Sequence, residues 1–442
     1  MKISVIGLGK LGSPMCAVFA AAGHMLIGVD LDASKCDTVN SGHAPVGEPG
    51  LEELISSLPP NRLSATTDTG SAIINTDMTF IIVATPSQED GKFSLKYVLP
   101  VCESIGAAIS QKSTYHTIIL TSTVMPGQTA EVTAALEHAS GKKHGVDFGV
   151  AYNPEFIALG SVIHDLHNPD LLLIGTDDSR VGDTLKTFYG TFVNSFPIIA
   201  LMKPVEAELT KIAVNTFVTT KIAYANMLAD FCDKLSGANV DVVAAAIGAD
   251  SRIGIKYLKG GVAFGGPCFP RDNVALKALG ESLGVDVSVP REVHNSNIHR
   301  VDSLVKRVMS RALGRRVAII GLTYKIGSEV IEESAGWKMM LALHEKYVDL
   351  YVYDPLFSSP ILRGVKRMTD LRQCIEETDL VIVMLPYPEV IALEPTAWAR
   401  TAEQRRDGSG TDRIVVDCWR VLPNLAECNG IKYWPLGVGE DK

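Results

Sequence analysis

The sequence is short of the features that mark membrane, secreted and nucleic-acid-binding chains. No stretch approaches the ~18 to 20 consecutive apolar residues that a bilayer span needs, so no membrane partner is expected. The apolar N-terminus is broken by Gly7, Gly9, Lys10, Gly12 and Pro14, without a basic-then-apolar leader and cleavage site. A cytoplasmic location is the expectation. The eight cysteines (16, 36, 102, 232, 268, 374, 418 and 428) form no C-x-x-C pair. That spacing suits reduced thiols better than a disulfide framework or a zinc site, and no metal is expected. Charge runs and low-complexity tracts are missing. A net charge of −9 leaves no basic footprint, which disfavours nucleic acid as a partner but permits a small anionic ligand.

What is present is an ordinary globular composition, 46% apolar and 21% charged, over 442 residues. That length exceeds one core and predicts two or three domains. "KISVIGLGKLG" reads as a buried strand running into a small-residue helix, followed by apolar strands in "MLIGVDLD", "MTFIIVATPS" and "HTIILTSTV". Strands that alternate with helices and are almost continuously apolar indicate a parallel sheet covered on both faces. The same pattern returns in "RRVAIIGLTYK", "LYVYDPL", "DLVIVMLPYPE" and "RIVVDCW". Between the two, residues 203–235 carry apolar residues at helical spacing (Val205, Leu209, Ile212, then Met227, Leu228, Phe231, Leu235), with Gly237 as a stop. The predicted fold is α/β, with two Rossmann-like doubly wound domains joined by a central helical domain that contains a long helix. The domains are expected over 1–200, 201–300 and 301–442.

"GLGKLG" is a G-x-G-x-x-G at Gly7, Gly9 and Gly12, set between a strand and a helix, with Asp30 ending the next strand. The glycines suit a tight turn, close approach of a pyrophosphate, and close packing of helix on strand. The acid suits a ribose diol and favours NAD over NADP. Thr85, Pro86 and Thr123 fall at the ends of the next strands, where the nicotinamide half should run; for Thr85, strand-end turn chemistry explains the residue equally well. "GLTYKIG" lacks the second and third glycines of the pattern, so a nucleotide other than NAD is expected on the C-terminal domain.

"AFGGPCFPRDN" sets Cys268 among Gly265, Gly266, Pro267 and Pro270, just ahead of a helix expected to begin near Asp272. A lone cysteine is by default a small buried hydrophobe. A thiol before a helix N-terminus ionises more readily, and that placement suits a nucleophile. Lys211 and Asn215 share one helix face, with Asn226 farther along it, and an ammonium and an amide so placed can hold an oxyanion. "YNPEF" puts Glu155 at a strand end. An NAD site and a nucleophilic thiol together suggest oxidation through a thiohemiacetal to a thioester that water cleaves.

The whole pattern resembles the UDP-glucose/GDP-mannose dehydrogenase family over nearly its full length. "FGGPCFPRD" matches that family's Gly-Gly-x-Cys-x-Pro-x-Asp element, "ELTKIAVNTF" its Lys–Asn helix, and "TSTVMPG" and "NPEF" its elements beside the nicotinamide. The resemblance implies a nucleotide-sugar 6-dehydrogenase with Cys268 as nucleophile and Lys211 and Asn215 as oxyanion stabilisers. Asp272, Glu155 and Thr123 would be further catalytic residues. It implies Gly7, Gly9, Lys10, Leu11, Gly12, Asp30, Lys35, Thr85, Pro86 and Thr123 around NAD. Glu155, Phe156, Lys211, Asn215, Arg252, Tyr257, Gly265 and Lys325 would hold the nucleotide sugar, and two copies would dimerise through the central helix. Four positions depart from the family pattern: Leu159 replaces a second Glu, Glu332 an Arg, "DCWR" (Trp419, Arg420) an Asp-x-Arg, and Pro267 a small polar or His residue. Two other readings fit the same residues, a two-electron hydroxyacid or sugar-alcohol dehydrogenase and a catalytically retired NAD-binding protein.

Overall fold

The computed structural model describes residues 1–346, 348–400 and 412–439. The chain divides into two units, Met1–Ala213 and Val214–Lys442. The first is built on eight strands: β1 (Lys2–Ile6), β2 (Met25–Val29), β3 (Leu63–Thr66), β4 (Met78–Ile81), β5 (His116–Leu120), β6 (Phe148–Tyr152), β7 (Leu171–Gly175) and β8 (Ile198–Met202). They lie in the order β3-β2-β1-β4-β5-β6-β7-β8. The pairings from β3 through to β6 are parallel, as expected, but β7 runs antiparallel to β6 and starts a two-strand extension. The apolar runs of the central strands follow from coverage on both faces: every residue of β4, β5 and β6 is buried. At the edge, β8 leaves Ile198, Ile199 and Leu201 exposed.

The second unit holds β9 (Arg316–Ile320), β10 (Asp349–Tyr353), β11 (Lys366–Met368), β12 (Leu380–Val383), β13 (Arg413–Asp417) and β14 (Ile431–Pro435), all parallel in the order β11-β10-β9-β12-β13-β14. This repeats the strand order of the first six strands of unit one, with the order reversing between its first and fourth strands. Ligands bind at that reversal in open α/β sheets.

The long helix runs Pro204–Cys232, beginning in the first unit and ending in the second. Proline opens it, where its missing N–H costs nothing, and Gly237 lies beyond its end at φ 72°. Its apolar stripe is only partly core. Ile212 is buried, while Val205, Leu209, Met227 and Phe231 are exposed, as is Leu235 just past its end. The thiol-bearing helix is Phe269–Leu283. A further helix, Ser288–Ala312, escapes sequence reading because its buried stripe includes Asn297 and Arg300 among Val293, Leu304 and Val308. No described helix is long and apolar enough to cross a membrane.

Candidate active site

In the first unit the turn after β1 is dictated by sterics. Gly7 has φ 105°, and a Cβ there would sit 2.1 Å from the Ile82 carbonyl oxygen. A Cβ on Gly12 would sit 1.9 Å from the Gly7 carbonyl oxygen, so the helix approaches the turn only because Gly12 lacks one. A Cβ on Gly9 would meet nothing within 4 Å, and that open face is where a pyrophosphate fits. Lys10 is exposed beside it and Leu11 packs on the core. Asp30 accepts from the Leu8 N–H at 2.8 Å and pairs with Lys35 at 3.3 Å, which fixes the carboxylate at the end of β2 where a ribose diol would meet it. These residues fit a dinucleotide.

The next strand ends are tied to one another. The Thr85 hydroxyl donates to the Thr123 carbonyl at 2.7 Å, with Pro86 half-buried alongside. The segment after Thr123 is held by Glu208, a fully buried acid on the long helix that accepts the amides of Gly127 and Thr129 at 2.6 Å each. Burial pushes its pKa up. Lys211 follows on the same helix; it is buried, its Nζ donates to the Glu155 carbonyl at 2.5 Å, and it lies 4.4 Å over the Phe156 ring.

Glu155 itself is pushed up to about 7, chiefly by burial. The residue as a whole keeps partial solvent access, but its carboxyl end is enclosed by protein, and the solvation of that end sets the pKa. The Tyr189 hydroxyl is 3.0 Å from its Oε1. Leu159, where the family has a second acid, packs against the core instead. The intervening loop is clamped by Glu48, which accepts from Gly160 N and Val162 N at 2.9 and 2.8 Å. Nothing in the sequence pattern marks Glu48, Tyr189 or Glu208 as functional. The only signal is an acid at position 208 one turn before the buried Ile212, on the same helix face.

In the second unit Cys268 is exposed and occupies the N-cap of its helix, so the helix begins at Phe269 and not near Asp272. Asp272 lies inside that helix. It is buried in the first turn and accepts from Asn215 Nδ2 at 2.6 Å, which brings two of the expected catalytic residues together. The preceding glycines pack on the segment after β9. Gly266, at φ 84°, donates to the Glu332 carbonyl at 2.9 Å and faces the Tyr324 ring; a Cβ on Gly265 would sit 2.4 Å from the Glu333 carbonyl oxygen. Asn226 clamps the same loop through Gly261 N and the Val262 carbonyl and is committed to that structural role.

Lys325 lies on this segment, half-buried, its Nζ 5.9 Å from the Tyr324 ring. Arg252 and Tyr257 are exposed; Arg252 pairs with Asp250 at 2.6 Å, and Tyr257 has φ 65°. Arg420 grips Asp241 at 2.7 and 2.8 Å and the carbonyls of Gly260 and Leu436. The Trp419 indole donates to the Met384 carbonyl while its ring covers Gly261. Both are structural braces.

The missing glycine of "GLTYKIG" has a structural counterpart. Gly321 has φ 101°, and its partner is Gly336, fifteen residues on where the first copy has five; a Cβ there would lie 2.0 Å from the Gly321 carbonyl oxygen. Asp354 accepts from Leu322 N at 2.8 Å, as Asp30 does from Leu8 N. The second turn is the first with an inserted segment, and that segment carries Lys325.

A dinucleotide turn with its ribose acid, in one chain with a second nucleotide-type sheet, defines a dinucleotide-binding α/β protein, and its relatives make it an NAD-dependent dehydrogenase acting on a CH–OH group. Family models narrow the class. The UDP-glucose/GDP-mannose dehydrogenase family is matched by its NAD-binding domain over residues 1–193, its central domain over 205–299 and its UDP-binding domain over 318–424. A GDP-mannose 6-dehydrogenase of Pseudomonas syringae pv. tomato is 35% identical over 87% of this chain and 90% of its own. The UDP-glucose 6-dehydrogenase AglM of Haloferax volcanii is 35% identical over 96% and 97%. A solved UDP-glucose dehydrogenase from Pyrobaculum islandicum superposes with a TM-score of 0.86 at 32% identity, covering 99% of this chain and 97% of its own. The chain belongs to the UDP-glucose/GDP-mannose dehydrogenase family.

Proposed function

We propose that the protein oxidises the C6 alcohol of a nucleotide-linked hexose, UDP-glucose or a related UDP-hexose, to the uronic acid in two hydride transfers, with Cys268 as nucleophile. The observation that carries this reading is the exposed thiol at a helix N-cap, in a loop packed against the segment that bears Lys325. NAD, when bound, accepts the hydrides. The Cys268 sulfur adds to the aldehyde carbon; Lys211 and Asn215 hold the resulting oxyanion, and Asp272 orients Asn215 through their 2.6 Å bond. Glu155 takes the proton of the water that cleaves the thioester. Thr123 orients reactants from its strand end. Phe156, Arg252, Tyr257, Gly265 and Lys325 contact the nucleotide sugar.

The domains proposed for these tasks are 1–200 for NAD, 201–300 for the thiol and dimerisation, and 301–442 for the nucleotide sugar. A homodimer is supported by Phe217, Tyr224 and Phe231, exposed aromatic residues seven apart on the long helix. A cytoplasmic location is the accompanying proposal.

The test is turnover of UDP-glucose and GDP-mannose with NADH counted per sugar. Two NADH, an acyl adduct on Cys268 by intact mass, and loss of both in Cys268→Ala are expected. One NADH with an aldehyde product, or activity surviving Cys268→Ala, refutes the thioester route.

A further inference from the structure

Glu155 stands at the end of a buried hydrogen-bond chain whose other members take no part in the steps above. Asn153, 1% exposed, is fixed at both ends: its backbone N–H donates to the Leu120 carbonyl at 2.9 Å, and its Nδ2 donates to the Leu173 carbonyl at 2.8 Å. Its Oδ1 therefore faces the other way, 2.6 Å from the Tyr189 hydroxyl. That hydroxyl is also 3.0 Å from Glu155 Oε1. The Tyr189 ring is 2% exposed and wedged against Phe188 and Phe192 at 5.5 Å, so only the hydroxyl hydrogen can turn.

A phenol has one proton and here has two acceptors. When Glu155 is protonated, its O–H donates to the tyrosine oxygen and the tyrosine donates to Asn153. When Glu155 is ionised, the tyrosine proton turns to the carboxylate. We propose that Tyr189 is a positioning residue that switches its single proton between Asn153 and Glu155, and so lets a buried carboxyl alternate between holding and releasing the proton of the hydrolytic water. Leu159, packed against the core, has no ionisable group with which to share that task. Among the described residues, the other titratable group acting on the carboxyl is Lys211 on the long helix.

The inference rests on the thioester reading above. In the step concerned, the water oxygen bonds to the thioester carbon as its proton passes to Glu155. The adduct then collapses with cleavage of the C–S bond, sulfur leaves as thiolate, and Glu155 returns the proton to solvent. No electrons change hands.

The test compares wild type with Tyr189→Phe, each as full chain with NAD and UDP-glucose (GDP-mannose as second probe). The pH profile of kcat, KM for the sugar, NADH per sugar and the Cys268 adduct are measured. A bond donated to a buried charge outweighs the neutral bonds it displaces. The acid limb of kcat should therefore move up by about one pH unit, about tenfold in rate on that limb. KM should stay unchanged and kcat should recover at high pH. A merely structural tyrosine would lower kcat equally at every pH, and that result overturns the proposal, as does a limb that stays put or moves down. If Tyr189→Phe fails to fold by circular dichroism, Asn153→Ala supplies a readout of opposite sign. It removes the neutral acceptor that competes for the tyrosine proton and should move the limb down, and an unmoved or raised limb there overturns the proposal. A wild type that makes one NADH and no adduct overturns the thioester reading and this inference with it, whereas two NADH with an unmoved limb overturns this inference alone.

Discussion

Replacing Glu155 by Gln should make the protein more stable at high pH while abolishing turnover. The carboxyl is held at about 7 in the fold against an ordinary value of 4.5. A raised carboxyl pKa means that the folded state binds a proton the unfolded chain has already released. The stability this contributes is complete below pH 4.5 and is lost as pH rises through 7. Raising a pKa by one pH unit corresponds to about 1.4 kcal/mol, so the penalty at pH 8 reaches about 3 kcal/mol. Gln keeps the shape and an oxygen for Tyr189 but does not ionise. Thermal melts of wild type and Glu155→Gln should coincide at pH 4.5 and diverge upward, reaching on the order of 6–12 °C at pH 8 for a domain of this size. Glu208, whose pKa is also raised, is common to both proteins and cancels in the difference. A difference that does not change with pH would mean Glu155 ionises as an exposed carboxyl does, and the burial argument would fail.

Gly266→Ala should lower kcat by about tenfold or more while leaving NAD affinity unchanged in fluorescence titration. The residue sits at φ 84°, and a Cβ would fall 2.6 Å from the Tyr324 ring, displacing the thiol loop. Glu208→Gln leaves one of two buried amides facing an NH2 group, a cost of about 1–3 kcal/mol readable as a lower melting temperature at pH 7. A variant as stable as wild type would mean the carboxyl is already protonated. Phe217→Asp together with Phe231→Asp should convert a dimer to monomers in light scattering, and a monomeric wild type would remove the proposed interface.

The residues with a chemical signature are readable from sequence. Gly7 and Gly12 are demanded by the sterics of the first nucleotide turn, Gly9 leaves its face open and Asp30 closes the pattern, while the thiol loop announces itself by its glycines and prolines. The second turn is unreadable because Gly336 performs the task of Gly12 from ten places farther along, past an insert. The reversal at β7 has no period-based signal, since buried strands look alike in either direction. The apolar stripe of the long helix is readable as a period, but a period does not say which of its residues are core, and much of this one faces outward. Glu48, Tyr189 and Glu208 act through backbone amides and a buried hydroxyl, and an amide acceptor carries no residue code.

Those acids share one mode of action. Asp30, Glu48 and Glu208 in the first unit each accept two backbone amides; in the second, Asp417 accepts two and Asp354 four. Loops at strand ends leave N–H groups without ladder partners, and a carboxylate that takes two of them satisfies the backbone and fixes the loop at once. The thiol loop is held differently. Asn226 clamps Gly261 and Val262, and Asn297 clamps Phe264 through both N–H and C=O at 2.8 Å. These are neutral amides. A carboxylate in their place could accept the N–H groups of Gly261 and Phe264 but could not donate to the Val262 and Phe264 carbonyls, whereas an amide does both. The choice of amide over acid around Cys268 therefore follows from the backbone being held: each clamp there meets an N–H and a C=O, whereas the acids meet N–H groups alone.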